Sequence, residues 1–408
     1  MKIIYLILTY LAHPFLSLIL KFRVKKKKED KYRYKEKLGI SNIVNTNNVI
    51  WFHVASLGEI KSILPVVKHY QQDNDLKILI TSVTLSSYFF FKENLQSKNT
   101  IHQFAPLDSP IIISKFLKRW RPKVSIFIES EIWPNMIMQT CKVSKLILLN
   151  CRISINSFKR WRLFKKTFQN LIKKFDYITV QNQETLKFLE YFEIKNIKYF
   201  GNLKFIQHKK HNKNNLNISN IDSSWCAMSI HFDEIDYIIQ AHKVLFSNSN
   251  ISSTFLIPRH LNKISEIEEK ILSENINLQK TSENKIINNF NGIILVDEFG
   301  LADEVFNFTN FVFMGGSFIK HGGQNPIEPL RYGCNILYGK YIFNFTEIYN
   351  ELNQKKLATL VEEPDQLYKK ISKLMDNKMN VNSNLYIKEY SDEIYKNTIN
   401  FLNQQILI

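Results

Sequence analysis

Cysteine is scarce in this chain, whose 408 residues include only four: Cys141, Cys151, Cys226 and Cys334. Their spacing matches no metal-ligand pattern, and they are scattered among apolar runs. We therefore predict buried, reduced thiols of a cytosolic protein rather than metal ligands.

Several short catalytic motifs are also missing. The sequence contains no Walker loop, His/Cys metal cluster, Gly-x-Ser-x-Gly elbow or Asp-x-Asp pair. Their absence favours a reaction that needs no metal ion, and no motif indicates a cofactor. Helix-turn-helix, ribonucleoprotein and zinc-finger patterns are absent as well, so charge alone would have to support nucleic-acid binding.

Acidic residues are too few to balance the basic ones. The 55 Lys and Arg against 37 Asp and Glu give a formal net charge of +18. Such an excess indicates an anionic partner, which could be nucleic acid, a membrane surface or a phosphorylated substrate.

The first 22 residues are nearly uncharged, and the segment "RVKKKKEDKYRYKEK" follows at once. About twenty apolar residues are the length that a bilayer-spanning helix needs, although His13 and Pro14 interrupt the run. It has no small-residue cleavage site. We predict that 1–22 is a membrane anchor that spans the bilayer or lies in its interface, with Lys25–Lys28 on the cytoplasmic side against anionic lipid. The alternative is an amphipathic helix packed on its own domain.

The rest of the chain alternates short β-rich runs with longer amphipathic runs. This pattern predicts α/β domains with parallel, doubly wound, Rossmann-like sheets. A polar Asn- and Lys-rich stretch, 206–224, separates a domain at 23–205 from one at 225–408, whose last helix could pack back on the first domain. In such tandem domains the ligand site is expected in the interdomain cleft. One long basic helix is predicted over 158–175.

Two glycine-rich stretches follow a strand in the second domain. "FMGGSF" (313–318) lets the backbone approach a ligand, and "GGQNPIEP" (322–329) leads into a predicted helix with Asn325 as its N-cap. Backbone N–H groups at a helix start bind phosphate. Glu328 would either accept the hydroxyls of a ribose or only complement the helix dipole.

Other polar residues follow neighbouring strands of this domain. Arg259 and His260 are suited to bind a phosphate. Arg259 is equally well explained as a surface arginine that follows a strand. Ser229 and His231 lie in another such turn, where Asp233 and Glu234 are explained by helix capping.

The first domain has acids at comparable positions. Glu59 follows "HVASLG" and opens a helix, where it could serve as a general base or merely stabilise the helix start. Glu129 and Glu131 flank the next such turn. One could act as a general base and the other could orient it, with Glu129 pointing inward. Arg152 lies at a third strand end.

Two basic runs contain interleaved aromatic residues and leucine. They are either solvated helix faces or contacts with anionic lipid. Their cations are Lys118, Arg119, Arg121, Arg160, Arg162, Lys165 and Lys166.

Taken in order, these motifs resemble the 3-deoxy-D-manno-octulosonic acid (Kdo) transferase family. The resemblance covers nearly the whole chain, from the apolar N-terminus through "YRYKEKLG", "WFHVASLGEI", "SEIWPN", "NCRIS", "GNLKF", "PRH", "GGSF" and "GGQNPIEP". It implies the GT-B fold and an inner-membrane enzyme, facing the cytoplasm, that moves Kdo from CMP-Kdo onto lipid A precursor. Nucleic acid is not an expected partner.

The resemblance also implies roles for individual residues. Glu59 matches the general base, and Glu129 and Arg152 match positions on the acceptor and Kdo side. The positions that match CMP-binding segments are Arg259, His260, Gly316, Ser317, Asn325 and Glu328. The chain departs from the family at Ile230 and Phe232–Glu234, and at Gln324, where histidine is usual.

Two alternatives stay open. A related membrane-associated GT-B enzyme would use a UDP- or ADP-sugar instead of CMP-Kdo. A non-catalytic basic module would bind membrane or nucleic acid with strong salt dependence and without consuming CMP-Kdo.

Overall fold

The computed structural model describes residues 2–43, 49–206, 216–221, 223–248, 251–376 and 383–407. The chain divides into two compact units. Unit 1 comprises Met1–His208 and Ser391–Ile408, and unit 2 comprises Lys209–Tyr390. The segment 1–22 is part of unit 1, and so are the last residues of the predicted second domain.

Unit 1 contains one seven-stranded parallel sheet in the order β3-β2-β1-β4-β5-β6-β7. Its elements are α1 (Lys2–Leu11), α2 (His13–Lys25), β1 (Ile50–Val54), α3 (Leu57–Gln71), β2 (Ile78–Ser82), α4 (Leu85–Asn94), β3 (Thr100–Phe104), α5 (Pro110–Trp120), β4 (Val124–Ile128), α6 (Pro134–Thr140), β5 (Lys145–Cys151), α7 (Ile155–Arg162), α8 (Lys165–Ile172), β6 (Tyr177–Val180), α9 (Gln183–Tyr191) and β7 (Ile197–Tyr199).

Helix capping explains why the connections of unit 1 are so short. The side chains of Ser56, Thr84, Ser154 and Asn182 each accept a backbone N–H in the first turn of α3, α4, α7 and α9. Each cap lies within three residues of the strand before it. Helices therefore begin directly at the carboxyl ends of strands, and polar first-turn residues gather there.

Unit 2 contains a second seven-stranded parallel sheet, in the order β11-β13-β10-β9-β14-β15-β16, and a two-stranded pair of β8 and β12. Its elements are β8 (Asn217–Ser219), β9 (Ser224–Ile230), α10 (Ile235–Ser247), β10 (Ser253–Pro258), α11 (Ile264–Ser273), β11 (Leu278–Lys280), β12 (Ile286–Asn288), β13 (Gly292–Leu295), α12 (Ala302–Phe306), β14 (Phe311–Met314), α13 (Ile327–Leu330), β15 (Asn335–Tyr338), α14 (Thr346–Gln354), β16 (Ala358–Leu360) and α15 (Leu367–Asp376). The last helix, α16 (Ser383–Ile406), begins in unit 2 and belongs to unit 1 from Ser391 onward.

Each large sheet has a central point at which the strand order reverses, between β1 and β4 in unit 1 and between β9 and β14 in unit 2. In unit 2, β13 also lies between β10 and β11, near one edge of the sheet. Ligands of open α/β sheets bind outside the carboxyl ends of the strands at such a point. Glu59 and Glu129 follow the first pair of strands, and His231 and Gly316 follow the second.

The end of α16 packs on unit 1. Tyr395 Oη lies 3.1 Å from His69 Nδ1, and Tyr70 Oη donates to Asn403 Oδ1 at 2.9 Å. The ring of Phe401 meets that of Tyr177 edge-on, with ring centres 5.5 Å apart. These contacts join α16 to α3 and to the start of β6.

The predicted anchor is not one helix. The axes of α1 and α2 differ by 62° at the break, which falls where His13 and Pro14 interrupt the sequence pattern. In the described ranges no single helix is long and apolar enough to cross a bilayer, whereas this bent pair together is, by length and composition. Side chains of the pair contact unit 1: Tyr5 Oη donates to Asp108 Oδ2 at 2.8 Å, and Thr9 Oγ1 accepts from Asn135 Nδ2 at 2.9 Å.

Other predictions also need correction. The basic segment 158–175 forms two helices, α7 and α8, because the N–H groups of Leu163 and Phe164 bond three residues back and tighten the turn. The helix after "GGQN" is short, since α13 has four residues. The polar junction includes β8, whose Ile218 is buried.

All four thiols are free, and three are buried while Cys141 is half-buried.

Candidate active site

Glu59 lies in the first turn of α3, directly after β1. Its carboxylate accepts the Ala55 N–H at 2.6 Å through Oε2 and the Ser56 hydroxyl at 3.1 Å through Oε1. In return, the Ser56 hydroxyl oxygen accepts the Glu59 N–H. The side chain is only 8% exposed. This reciprocal capping holds the carboxyl group in one place at the carboxyl end of β1.

The surroundings of Glu59 change its acidity. Burial raises the pKa of Glu59 to about 7, and the negative charges of Glu131 and Glu129 add to this effect. The hydrogen bonds from Ala55 and Ser56 act in the opposite direction. A carboxyl group with a pKa near 7 can accept a proton from a hydroxyl at neutral pH, as a general base must.

Glu131 has different partners. Its Oε2 accepts the indole N–H of Trp133 at 2.6 Å and lies 3.1 Å from Nε2 of the buried His53. Burial alone would raise the pKa of Glu131, but the contacts with His53 and Trp133 prevail and lower it. Glu131 therefore keeps its charge and adds negative potential beside Glu59.

Glu129 faces a lysine that the sequence analysis did not single out. Its Oε1 lies 2.6 Å from Lys204 Nζ, and the residue has the left-handed φ of 56°. Asn202 caps the short turn that carries Lys204, and Asn150 anchors that turn by accepting the Leu203 N–H. The quoted motif "GNLKF" contained Lys204, but only the fold brings it to Glu129.

Arg152 lies beside this pair. Its backbone N–H donates to the Glu129 carbonyl at 3.4 Å. Within the part of the chain that the structure describes, its buried Nε has no hydrogen-bond partner. A buried guanidinium donor without a partner suits an anionic ligand.

In unit 2, Glu234 organises the turn after β14. It is fully buried, and its carboxylate accepts backbone N–H groups from His231, Gly316 and Phe318. Burial raises the pKa of Glu234, while these N–H groups act against the rise. Capping was predicted for Glu234, and the structure adds that it joins the turn after β9 to the glycine-rich turn.

Histidines gather around this turn. The ring of His231 stacks on His321, with ring centres 4.2 Å apart, and meets His260 edge-on at 5.5 Å. Burial, together with the nearby His321, His260 and Arg259, lowers the pKa of His231 to about 4. A Cβ on Gly316 would lie 3.3 Å from His231 Nε2, so the glycine keeps this space open. Sequence analysis missed His321, which carries no strand-end signal.

The remaining residues predicted to bind CMP differ in their hydrogen-bond partners and burial. The Ser317 hydroxyl is buried, donates to the Met314 carbonyl and accepts the Gly339 N–H. Asn325 is not the N-cap that the sequence predicts, because Pro326 occupies that position of α13, although the Asn325 side chain accepts the Ile327 N–H at 3.2 Å. Glu328 is half-buried in α13. Burial lowers the pKa of the nearby Arg331, and the negative charge of Glu328 partly offsets this effect.

The structure thus brings together two sets of predicted residues. Glu59, Glu129 and Arg152 share the carboxyl end of the first sheet, and Arg259, His260 and Gly316 surround His231 at that of the second. Across the described ranges, no three His, Cys, Asp or Glu side chains are arranged to hold a metal ion.

Comparisons with known proteins identify the family of the chain. A family model described as 3-deoxy-D-manno-octulosonic-acid transferase (kdotransferase) matches residues 32–207. A 3-deoxy-D-manno-octulosonic acid transferase of Rickettsia felis is 32% identical over 366 residues, which are 88% of this chain and 77% of that protein. The enzyme of the same name from Rickettsia bellii is 30% identical and covers 99% of this chain and 96% of its own.

A solved structure shows the same fold. The glycosyltransferase of Rickettsia africae superposes with a TM-score of 0.53 at 14% identity, over 89% of this chain and 97% of that chain. Its similarity supports the predicted GT-B fold with parallel α/β sheets. The chain therefore belongs to the 3-deoxy-D-manno-octulosonic acid transferase family of glycosyltransferases.

Proposed function

We propose that this protein transfers Kdo from CMP-Kdo to the lipid A precursor, with Glu59 as the general base. The observation that carries the proposal is the Glu59 carboxyl group, which is held by two hydrogen bonds and has a pKa raised to about 7. Glu59 removes a proton from a sugar hydroxyl of the acceptor while that oxygen attacks the anomeric carbon of Kdo. Attack from the face opposite CMP inverts that carbon.

Preorganised donors in unit 2 stabilise the CMP leaving group. Its phosphate gains negative charge as the bond to Kdo breaks, and Arg259 and His260 offset that charge without a metal ion. Gly316 leaves room for the phosphate because it has no Cβ, while its N–H is held by Glu234. Asn325 orders the turn before α13, and Glu328 accepts the ribose hydroxyls. Ser317 supports the shape of the turn after β14, because its hydroxyl is bonded on both sides and its N–H is directed at Glu234.

The acid group of Kdo needs a cation on the acceptor side. The buried Arg152 Nε, which lacks a partner within the described residues, suits that carboxylate. Glu129 and Lys204 form a charged pair beside it that orients the acceptor sugar.

The bent pair α1–α2 and the basic residues of α5, α7 and α8 hold the protein on the cytoplasmic face of the inner membrane. The apolar side chains of the pair are exposed, with Leu8 at 59%, Leu11 at 63% and Leu18 at 63%. Anionic lipid complements the net charge of +18.

Incubating the full chain with CMP-Kdo and tetraacylated lipid A precursor, followed by mass measurement of the lipid, tests the activity. We expect Glu59→Gln to lower kcat at least ~100-fold, the lower end of general-base effects. Glu93→Gln, an exposed acid on α4, is the matched control. A Glu59→Gln enzyme with unchanged kcat would remove Glu59 from the mechanism, and product formed only from a UDP- or ADP-sugar would establish the alternative donor.

A further inference from the structure

Unit 1 contains a large cavity that the proposed mechanism does not use. It lies between α1, α6 and α8 and has a volume of about 840 Å³. Its walls are largely apolar and include Leu6, Ile132, Trp133, Met138, Trp161 and Leu171. Pockets that enclose small ligands have volumes of ~300–1,000 Å³ and are mostly apolar. We propose that this cavity binds one acyl chain of the lipid acceptor, an inference that rests on the proposed function.

The cavity begins next to the candidate catalytic residues. Trp133 forms part of its wall, and the indole N–H of the same residue donates to Glu131 at 2.6 Å. Glu131 is close enough to Glu59 to raise its pKa. A lipid whose sugar lies at Glu59 can therefore place an acyl chain in the cavity without leaving the catalytic end of the sheet.

Cations lie at the end of the cavity away from Glu59, where α6 and α8 end. Lys142, Lys173 and Lys174 line it together with the apolar side chains. Lys142 and Gln139 also line a second cavity of about 1050 Å³, which four further cations surround: Lys118, Arg121, Lys123 and Lys145.

The second cavity is free to bind an anion. In the described part of unit 1 none of its five cations forms an ion pair, and its one acid, Asp176, already accepts the Leu146 N–H at 2.7 Å. Its cations lie at the amino ends of β4, β5 and β6, a strand length from Glu59, so they do not contact the phosphates of an acceptor whose sugar lies at Glu59. The acyl-chain assignment rests on the apolar lining of the first cavity and on the link from Trp133 to Glu131.

Filling the apolar cavity tests the inference. Thr167→Phe places a ring in it from α8, and Asn94→Phe adds the same ring to an exposed position at the end of α4. Each variant is assayed with CMP-Kdo and either the acylated acceptor or its fully deacylated disaccharide bisphosphate. We expect Thr167→Phe to raise KM for the acylated acceptor about tenfold and to leave kcat/KM for the deacylated one within about twofold. Asn94→Phe should change neither.

Equal losses with both acceptors, or no loss with either, would overturn the assignment. If Thr167→Phe does not fold, Asn170→Phe at the exposed rim of the cavity replaces it.

A binding measurement separates this inference from the proposed function. Trp133 and Trp161 line the cavity, whereas Trp51, Trp120 and Trp225 are fully buried elsewhere. An acceptor with a dibrominated acyl chain, kept below its micelle concentration, should quench the first two in a saturable way, and Thr167→Phe should weaken its binding about tenfold. This result would stand even if no Kdo were transferred. Absence of quenching, or equal quenching by brominated phosphatidylglycerol, would overturn the inference.

Discussion

At the scale of the residue, three acids at the ends of β1 and β4 differ only in their neighbours. Glu131 contacts His53 and Trp133, and Glu129 contacts Lys204. The two donors to Glu59 are neutral, so burial, reinforced by the negative charges of Glu131 and Glu129, raises its pKa. The contacts with His53 and Trp133, in contrast, lower the pKa of Glu131. The acid with the fewest positive partners is therefore the one suited to accept a proton.

The activity should follow the ionisation of Glu59. Only the carboxylate accepts a proton, and the pKa of about 7 means that it is largely protonated in mild acid. We expect kcat to rise as pH increases through about 7 and then to level off. Initial rates between pH 5 and 9 at saturating substrates check this, and a profile that is flat across this range would contradict the role.

The same group should affect stability in the opposite sense. Between its ordinary value of 4.5 and about 7, the folded protein binds the Glu59 proton more tightly than the unfolded chain does, so stability falls as pH rises through this window. Glu59→Gln removes the effect. The free energy of unfolding of the variant, relative to that of the wild type, should therefore increase by up to about 3 kcal/mol between pH 4 and pH 8. Urea unfolding at both values measures it. A constant difference would show that burial does not penalise the charge.

Glu234 should matter for the donor site through its hydrogen bonds. Its carboxylate accepts N–H groups from both turns, and the amide of Glu234→Gln would direct its own N–H groups at some of them. We expect the free energy of unfolding to fall by about 2 kcal/mol and the Kd for CMP to rise. Urea unfolding and calorimetry test this against Asp233→Asn, which changes the exposed neighbouring acid. Equal effects of the two substitutions would contradict the specific role.

At the scale of the element, hydrophobic periodicity predicted most strands of both sheets but missed β3 and β11. In β3, His102 and Gln103 are buried, and the first lies 2.8 Å from Ser82 Oγ while the second accepts the Trp120 N–H. Partners distant in sequence make these polar residues acceptable in a core, and a local pattern cannot reveal them. For the same reason it predicted Glu59 as a candidate but not Lys204 or His321 as neighbours.

The exposed leucines of the helix pair α1–α2 allow a test of membrane binding. Leu11 and Leu18 are each 63% exposed, so the double substitution to Ser should change the free energy of unfolding by less than about 0.5 kcal/mol. It should lower sedimentation with anionic vesicles several-fold, because apolar area no longer enters the interface. Phe299→Ser, which changes an 86% exposed residue of unit 2, is the control. Unchanged vesicle binding of the double variant would show that the pair does not contact lipid.

At the scale of the whole molecule, the two seven-stranded sheets carry different polar residues at the point where the strand order reverses. At the central reversal of strand order, unit 1 carries Glu59 and Glu129. Unit 2 carries Arg259 and Gly316 beside the neutral ring of His231. Acids suit proton transfer, and an arginine next to a turn without a Cβ suits a phosphate. This division of chemistry supports a transferase over a basic module that only binds membrane or nucleic acid.

Nucleotide competition separates the remaining alternatives. If Glu328 accepts both ribose hydroxyls, CMP should bind more tightly than its 2′,3′-dideoxy form by about tenfold or more, and Glu328→Gln should remove most of that difference. UDP and ADP should compete poorly with CMP-Kdo in wild type. Calorimetric titration of the full chain with each nucleotide measures these affinities. A basic module would bind every nucleotide alike, lose all of them with added salt and be indifferent to Glu328, because nonspecific charge attraction reads neither base nor sugar.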